Sequence, residues 1–487
     1  MPEMWDAARA GQRMTRTMRT QLTSASLLVV LMACAPTREA IYDDVRRQLA
    51  DRAALNVDVR QLSLETRELD ANVLGVLSEN LTLDAAVKVS LLNNRNLQAT
   101  FERLGVPHAA LLEASLPQNP MIDAELRFEM DGDGKTLEIG LVQDVLDFIA
   151  IPARRQAATA NLEHERLKLV STVISHVTDV RVAFYRVQAN QQSIRLLREV
   201  RDGSQASFEL AKRLHEAGNI SDLEVAQHQA LYAQSRLDLA AVETMVVQDR
   251  ERLTALMGLW GKQVAWQVDP NLPALPASLD LDEFEAGAIK KSLDLEEIRW
   301  SIRAANAELG VARLEGWLPE LGVGVSAERE SSGTTRVGPA LMVSIPIFNW
   351  NQGKIAARSA ELRAAQHRYA GLAVEIRATA RAVRNALISA RKRADFIQET
   401  ILPLRQKILD EMLLRYNAML VGTFELVRAK RDQTLAQRQQ VEALRDYWIT
   451  RAEAELILQG RVRTRATSLA MQNSSSQDPR SSKPSHD

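Results

Sequence analysis

The sequence predicts a mostly α-helical chain that carries membrane β-strands, arranged as two tandem helix–strand–strand–helix repeats. Three observations predict it. Long stretches free of Gly and Pro, such as residues 153–202, repeat apolar residues every three or four positions. Two short stretches instead alternate with period two. Finally, Leu116-Pro117 aligns with Leu318-Pro319, and Gly258 with Gly460, at one offset of 202 residues.

The 487 residues are 46% hydrophobic and 25% charged, which excludes a natively unfolded chain. A net charge of -1 gives no bulk field for nucleic acid, so none is expected as a partner. One cysteine, Cys34, excludes an intramolecular disulfide or a cysteine metal cluster.

Residues 1–33 read as a signal peptide. Arg13, Arg16 and Arg19 precede the apolar run Ala25 to Ala33, which is too short to span a bilayer. Leu31-Met32-Ala33-Cys34 resembles a bacterial lipobox, although Met32 is bulkier than the usual small residue, and marks Cys34 for lipidation. An ordinary signal peptide with a stray thiol is the alternative. Ala35 lacks the aspartate associated with inner-membrane retention, and Met14 or Met18 could be the true start. An N-terminal segment, 34–80, follows.

The first repeat covers 81–262. Its strands are expected at about 121–130 and 137–146. On the first, Ile122, Ala124, Leu126, Phe128 and Met130 share one face, while Asp123, Glu125, Arg127 and Glu129 share the other. Asp131-Gly-Asp-Gly134 forms the turn, and Leu137, Ile139 and Leu141 return opposite Glu138 and Gly140. An EF-hand at Asp131 is excluded, because Thr136 and Val142 occupy its glycine and glutamate positions. A helix from about Ala153 to Leu214, roughly 90 Å long at 1.5 Å per residue, carries Leu162, Leu169, Val173, Val177, Val180, Phe184 and Val187 as its apolar stripe. Gly218-Asn219-Ile220-Ser221 reverses the chain, and Ser221 or Asp222 caps the return helix to Gly258.

A connector, 263–284, holds Pro270, Pro273 and Pro276 and reads as extended. The second repeat, 285–460, repeats the plan with strands at about 321–330 and 336–347, where Pro339 is awkward inside a ladder. Its helix runs from Gln352 to Leu420 with Gly371 and Pro403 as weak points, turns near Gly422, and returns to Gly460. The tail 461–487 is polar and Ser-rich.

Two readings fit the hairpins, a soluble sandwich core or a lipid-facing surface. The long helices and the export signal favour lipid. Each strand has roughly the ten residues of a tilted membrane strand. The ionic face, with Asp123, Glu125, Arg127, Glu129, Glu138 and Glu328, must then line water. Four strands cannot close around water and open edges are excluded from lipid, so the chain is expected to oligomerise.

Leu83-Asp84-Ala85-Ala86 leading to Asn93-Asn94-Arg95-Asn96-Leu97, the Leu116-Pro117-Gln118-Asn119-Pro120 entry, and Ile345-Pro346-Ile347-Phe348-Asn349 with Gly353 resemble the TolC family of outer-membrane efflux ducts, especially its lipoprotein, CusC-like branch. The likeness runs from about Leu81 to Gly460. It implies a homotrimer whose four strands per protomer close one twelve-stranded barrel, continued by a long α-helical periplasmic tunnel. It also implies a Gram-negative outer-membrane location with a lipid anchor. The partners would be a periplasmic adaptor and an inner-membrane pump, of the RND type or similar. Such a duct conducts drugs, metals or other solutes passively, and is not an enzyme.

In the family, acids beyond the second tip form a closing ring. Here Glu425 keeps an acid, whereas Arg428 stands where a second acid is often found, which suggests a Glu425–Arg428 pair or a merely solvated one. Asp222 and Glu224 are further gate candidates. Gly218, Asn219, Ile220, Ser221, Gly422 and Thr423 resemble adaptor-contact loops. Trp317 and Trp350 fit a membrane-interface belt near strand ends.

No enzyme signature appears, and the seven histidines are scattered, so neither a metal site nor a cofactor is expected. The 13 methionines are scattered too and make no case for copper or silver. The runner-up is a periplasmic adaptor, which also pairs a lipobox with a helical hairpin, but which carries one hairpin rather than two.

Overall fold

The computed structural model of the chain describes residues 38–55, 73–77, 80–128, 135–317, 320–330 and 332–463. The signal peptide and Cys34, the turn Asp131–Gly134 with Glu129 and Met130, and the tail beyond Arg463 lie outside these residues.

The described residues start with α1 (Arg38–Ala53), followed by a short strand β1 (Asn80–Leu81) and helices α2 (Leu83–Asn93), α3 (Arg95–Arg103) and α4 (Gly105–Ala114). Strands β2 (Met121–Phe128) and β3 (Lys135–Asp144) lead into α5 (Val145–Glu216) and α6 (Asp222–Met257). After β4 (Gln267–Val268), α7 (Phe284–Lys290) and α8 (Leu293–Trp317), strands β5 (Glu320–Glu330) and β6 (Thr335–Ser344) precede α9 (Gln352–Phe396), α10 (Leu402–Asn417) and α11 (Thr423–Leu458).

Two units share this chain. One takes Phe101–Leu167 and Glu296–Ala370 with the stretch ending at Val45, and the other takes Arg46–Thr100, Lys168–Leu295 and the chain from Gly371. Each unit therefore contains parts of both repeats.

The first unit holds an antiparallel sheet in the order β2-β3-β5-β6. Three boundaries differ from expectation. β3 ends at Asp144, not 146, because the Asp144 carboxylate accepts from the Leu146 amide (2.9 Å) and starts a helix. That helix begins at Val145 rather than near Ala153 and accommodates Pro152 inside it. β6 ends at Ser344, since Pro346 has no N–H to extend the ladder to 347. Pro339 is tolerated because β6 is an edge strand, pairing only with β5 among the described strands.

The second unit holds two helical hairpins. All seven residues of the expected stripe on α5 are buried, each below 5% exposure. Leu197, Leu239 and Val242 close the α5–α6 contact, helped by Asn190 donating to Asp249 (2.6 Å). Between α9 and α10 the helix passes through a π-turn, Ile397–Ile401. The Pro403 ring lacks the donor that a regular helix needs, and the wider turn absorbs that loss. Gly371, by contrast, lies within α9 without a break. On α11, Ala429, Ala436, Ala443, Ala452 and Ala454 are buried, so that neighbouring backbones approach closely.

The tandem design is visible in paired joints. Asn94 Oδ1 accepts from the Leu97 amide (3.0 Å), and Ser292 Oγ accepts from the Leu295 amide (3.1 Å), each capping a helix start. Against these caps lie Gly258 (φ +69°) and Gly460 (φ +101°), which end α6 and α11. Asn93 donates to the Gly258 carbonyl (2.7 Å), and the Leu293 amide donates to that of Gly460 (2.8 Å). A Cβ at Gly258 would stand 2.7 Å from Asn93 O, so glycine is required there on two counts.

The connector is more structured than the expected extended chain. β4 pairs in parallel with β1, and Trp266 is fully buried beneath the Arg250 guanidinium, 3.9 Å from its ring centroid. Trp448 on α11 donates to the Pro273 carbonyl (3.0 Å) and stacks on Tyr185, whose phenol burial pushes up to about 12.

Candidate functional site

The sheet separates its two faces by register. Ile122 pairs with Leu141, Ala124 with Ile139 and Leu126 with Leu137. The row continues through Val325 and Ala327 to Pro339 and Val337. This apolar face is open: Ile122 is 75% exposed and Val337 and Leu341 70%. A soluble sandwich would bury these residues, and its core reading therefore fails for this protomer.

The opposite face carries the ionic residues. Glu125, Glu138, Glu328 and Arg336 form one register row across all four strands. Adjacent glutamates in such a row repel one another. Arg127 offsets this by pairing with Glu125 (2.9 Å) and Glu138 (3.2 Å), while Arg336 pairs with Glu330 (2.5 Å) and reaches Glu328 (3.8 Å). Asp123 lies over Gly140, its cross-strand partner, where no Cβ is present to displace it. Five of the six expected lumen-facing residues thus share one face, and the sixth, Glu129, lies outside the described residues. Trp317 and Trp350 are exposed beside the strand ends.

The helical tips, in the second unit, are built differently from each other. At the first, Gly218 takes φ +76° and Ser221 caps α6 in a capping box. The Ser221 amide and hydroxyl both donate to the Glu224 carboxylate (2.8 and 2.9 Å), which holds that carboxyl below its usual range. Asp222 faces His215 Nε2 at 3.1 Å, and the other nitrogen of His215 lies 3.0 Å from the Ile220 carbonyl. Both acids at this tip therefore have structural partners, and Asn219 is exposed in the turn before them.

At the second tip, Gly422 precedes α11 in an extended conformation, and Met419 takes the left-handed turn position (φ +59°). Glu425 and Arg428 form no ion pair with each other in the protomer. Glu425 Oε2 instead folds back over Gly422, 2.9 Å from where a Cβ would stand. Thr423 is half-buried, whereas Met419 is 93% exposed.

Sequence reasoning missed His215, His228, Phe424 and Met419. His228 stacks on Phe424 and faces Ser207, joining α5, α6 and α11. The only trace in the sequence was a histidine four residues after Glu224, which marks a helix face but no partner.

Among the described residues, no helix is long and apolar enough to cross a membrane, and no three His, Cys, Asp or Glu side chains come together as metal ligands.

The outer membrane efflux protein family model matches residues 86–259 and 287–458, one segment in each repeat. A probable efflux pump outer membrane protein of Pseudomonas putida, TtgC, is 28% identical over 209 residues, 40% of this chain and 41% of that relative. The chain thus matches about two fifths of the length of that curated relative. Among solved structures, a membrane protein from Pseudomonas aeruginosa superposes with a TM-score of 0.65 at 17% identity, covering 78% of this chain and 90% of the other. The CusC channel does so with 0.58 at 18% identity, covering 78% and 91%. These likenesses show the fold. With the family model spanning most of both repeats, the chain belongs to the outer membrane efflux protein family.

Proposed function

We propose that this protein is the passive outer-membrane duct of a tripartite efflux system. It would act as a homotrimer whose protomers each contribute β2, β3, β5 and β6 to one twelve-stranded barrel. The observation that carries this reading is the sheet itself. It exposes an apolar face, gathers its carboxylates on the other, and leaves one side of β2 and of β6 without a strand among the described residues. Backbone groups left unpaired in lipid cost several kcal/mol each, so those edges need sister copies.

On this reading the apolar face meets lipid and the row Glu125–Glu138–Glu328–Arg336 faces a water-filled bore. The helical hairpins form the periplasmic tunnel. Its closing end lies at the tips, with Glu425 and Arg428 as gate residues and Asp222 and Glu224 as lesser ones. Gly218 to Ser221, Gly422 and Thr423 are offered to a periplasmic adaptor, and exposed Met419 adds an apolar contact. An inner-membrane pump, of the RND type or similar, supplies the energy, and the duct itself catalyses no reaction. Cys34 carries a lipid anchor in the outer membrane of a Gram-negative cell. Relatives named as efflux pump outer membrane proteins support this assignment, and family membership leaves the adaptor alternative without support.

The test is reconstitution into planar bilayers. Discrete, long-lived conductance steps are expected, and persistent failure to conduct at any pH or voltage would overturn the duct assignment.

A further inference from the structure

Side-chain contacts link the helices of the two hairpins in the order α6, α5, α11, α10. Leu239 and Val242 of α6 pack on Leu197 of α5. Lys430 of α11 pairs with Glu199 of α5 (3.7 Å). Gln433 and Gln440 of α11 donate to Gln406 on α10 (3.1 Å) and to Gln398 in the π-turn that precedes it (3.2 Å). α6 and α10 are therefore the end helices of this row.

Each end helix presents an apolar stripe on a face left open by the described residues. On α6, Ala230, Ala233, Leu237, Ala240, Thr244 and Val247 follow one another at alternating steps of three and four residues, and every one is exposed. They lie on the reverse of the face where Ser235, Leu239 and Val242 are buried. At the other end of the row Ile397, Ile401, Leu404 and Ile408 step by four, three and four. Leu404 is 52% exposed and Ile408 37%, and no residue of α10 is buried in the protomer. Arg405 and Gln406, which reach α11, lie on another face of α10.

Steps of three and four average 3.5 residues, the repeat of a helix seated along a second helix. Water gives no reason for that repeat, nor for Leu237, Leu404 and Ile408 to stand in it uncovered. Neither stripe contains an ionisable residue. Their sizes also match as two halves of one contact, because branched side chains on one helix fit between alanines on the other and let the axes approach to about 8 Å.

The occupant that fits both stripes is a second copy of this chain. The helical row has the first repeat at one end and the second at the other, the same order as the sheet, whose edges are β2 and β6. A contact between unlike ends closes into a ring when the rotation between copies is a whole fraction of a turn.

We propose that α10 of one copy packs along α6 of the next through these two stripes, and that this is the seam between protomers in the helical tunnel. The inference rests on the reading of the chain as a trimeric duct. The Glu199–Lys430 pair and the His228–Phe424 stack set the second hairpin turn about 10 Å back from the first along the helices. With the copies level around the symmetry axis, Ile408 stands beside Leu237, and Leu404 between Ala240 and Thr244.

The test is disulfide formation in the full chain extracted from outer membranes, read on non-reducing gels. Ile408→Cys combined with Leu237→Cys, and Leu404→Cys combined with Ala240→Cys, should convert most of the protein into covalent dimers and trimers. All four positions are exposed in the protomer, so the substitutions leave its packing intact. Ile408→Cys combined with Glu243→Cys, on the side of α6 that meets Arg198 of α5, should stay at the background of the single variants. Cross-linking of that control as efficient as that of the facing pairs would overturn the seam. So would three copies by native mass spectrometry of the reduced samples with neither facing pair cross-linked, a result that leaves the trimer standing. A single chain by the same measurement would instead defeat the trimeric reading itself.

Discussion

The imidazole of His228 lies against the ring of Phe424, with centroids 3.9 Å apart and planes at 25°, while its Nδ1 stands 3.1 Å from the Ser207 hydroxyl. One side chain thus ties both hairpins together near their tips. Burial holds His228 below the usual imidazole range, with the Glu224 carboxylate pulling weakly the other way. Its folded pKa is therefore depressed relative to an unfolded value near 6.5. The stabilisation is complete above that unfolded value and is lost as pH falls through the lowered folded one. Amide protection over Thr423–Val427, taken relative to the intrinsic exchange rate at each pH, is expected to fall as pH drops below about 6.5, and His228→Gln should flatten that dependence. An unchanged pH profile in the variant would remove His228 from the joint.

The paired glycines give a stability prediction with an internal control. Gly258→Ala forces a positive φ on alanine and a clash with Asn93 O, and should cost about 1–3 kcal/mol. Gly371 lies within α9 with nothing within 4 Å of an added methyl, so Gly371→Ala should stabilise by about 0.5–1 kcal/mol. Melting temperatures of the two variants should therefore move in opposite directions.

Arg127 balances the row of glutamates on the ionic face. Replacing it with glutamine leaves Glu125 and Glu138 facing each other without a counter-charge. In a salt gradient across a planar bilayer, the reversal potential should shift toward stronger cation preference. An unchanged reversal potential would place these residues away from the bore.

At the second tip, the Glu425→Ala, Arg428→Ala double variant should raise single-channel conductance. Glu224→Ala should instead speed amide exchange at the start of α6, because Glu224 completes the capping box with Ser221. If conductance is unchanged in the double variant, these two side chains do not gate the tunnel.

The strands and helices were legible because their periods differ. Ile122 to Phe128 alternates and Leu162 to Val187 does not, and burial on one side enforces each pattern. The helix start at Val145 was missed because Pro152 read as a boundary: beyond the first turn a proline removes a helix hydrogen bond, yet α5 keeps it inside. The cap made by Asp144 depends on a carboxylate reaching an amide two residues on, a pattern common to many loops. The joints at the tips were less legible still. Glu224 read as a gate acid, yet its oxygen is bound by Ser221, and the His228–Phe424 stack links residues 196 positions apart. Helix periodicity says which face a residue occupies, but not what meets it.

The mass of the assembled protein in detergent tests the account most directly, because everything proposed for the bore depends on sister copies sealing β2 and β6. Light scattering or native mass spectrometry of the mature chain extracted from outer membranes should give three copies. A monodisperse single chain, soluble in water without detergent, would contradict it.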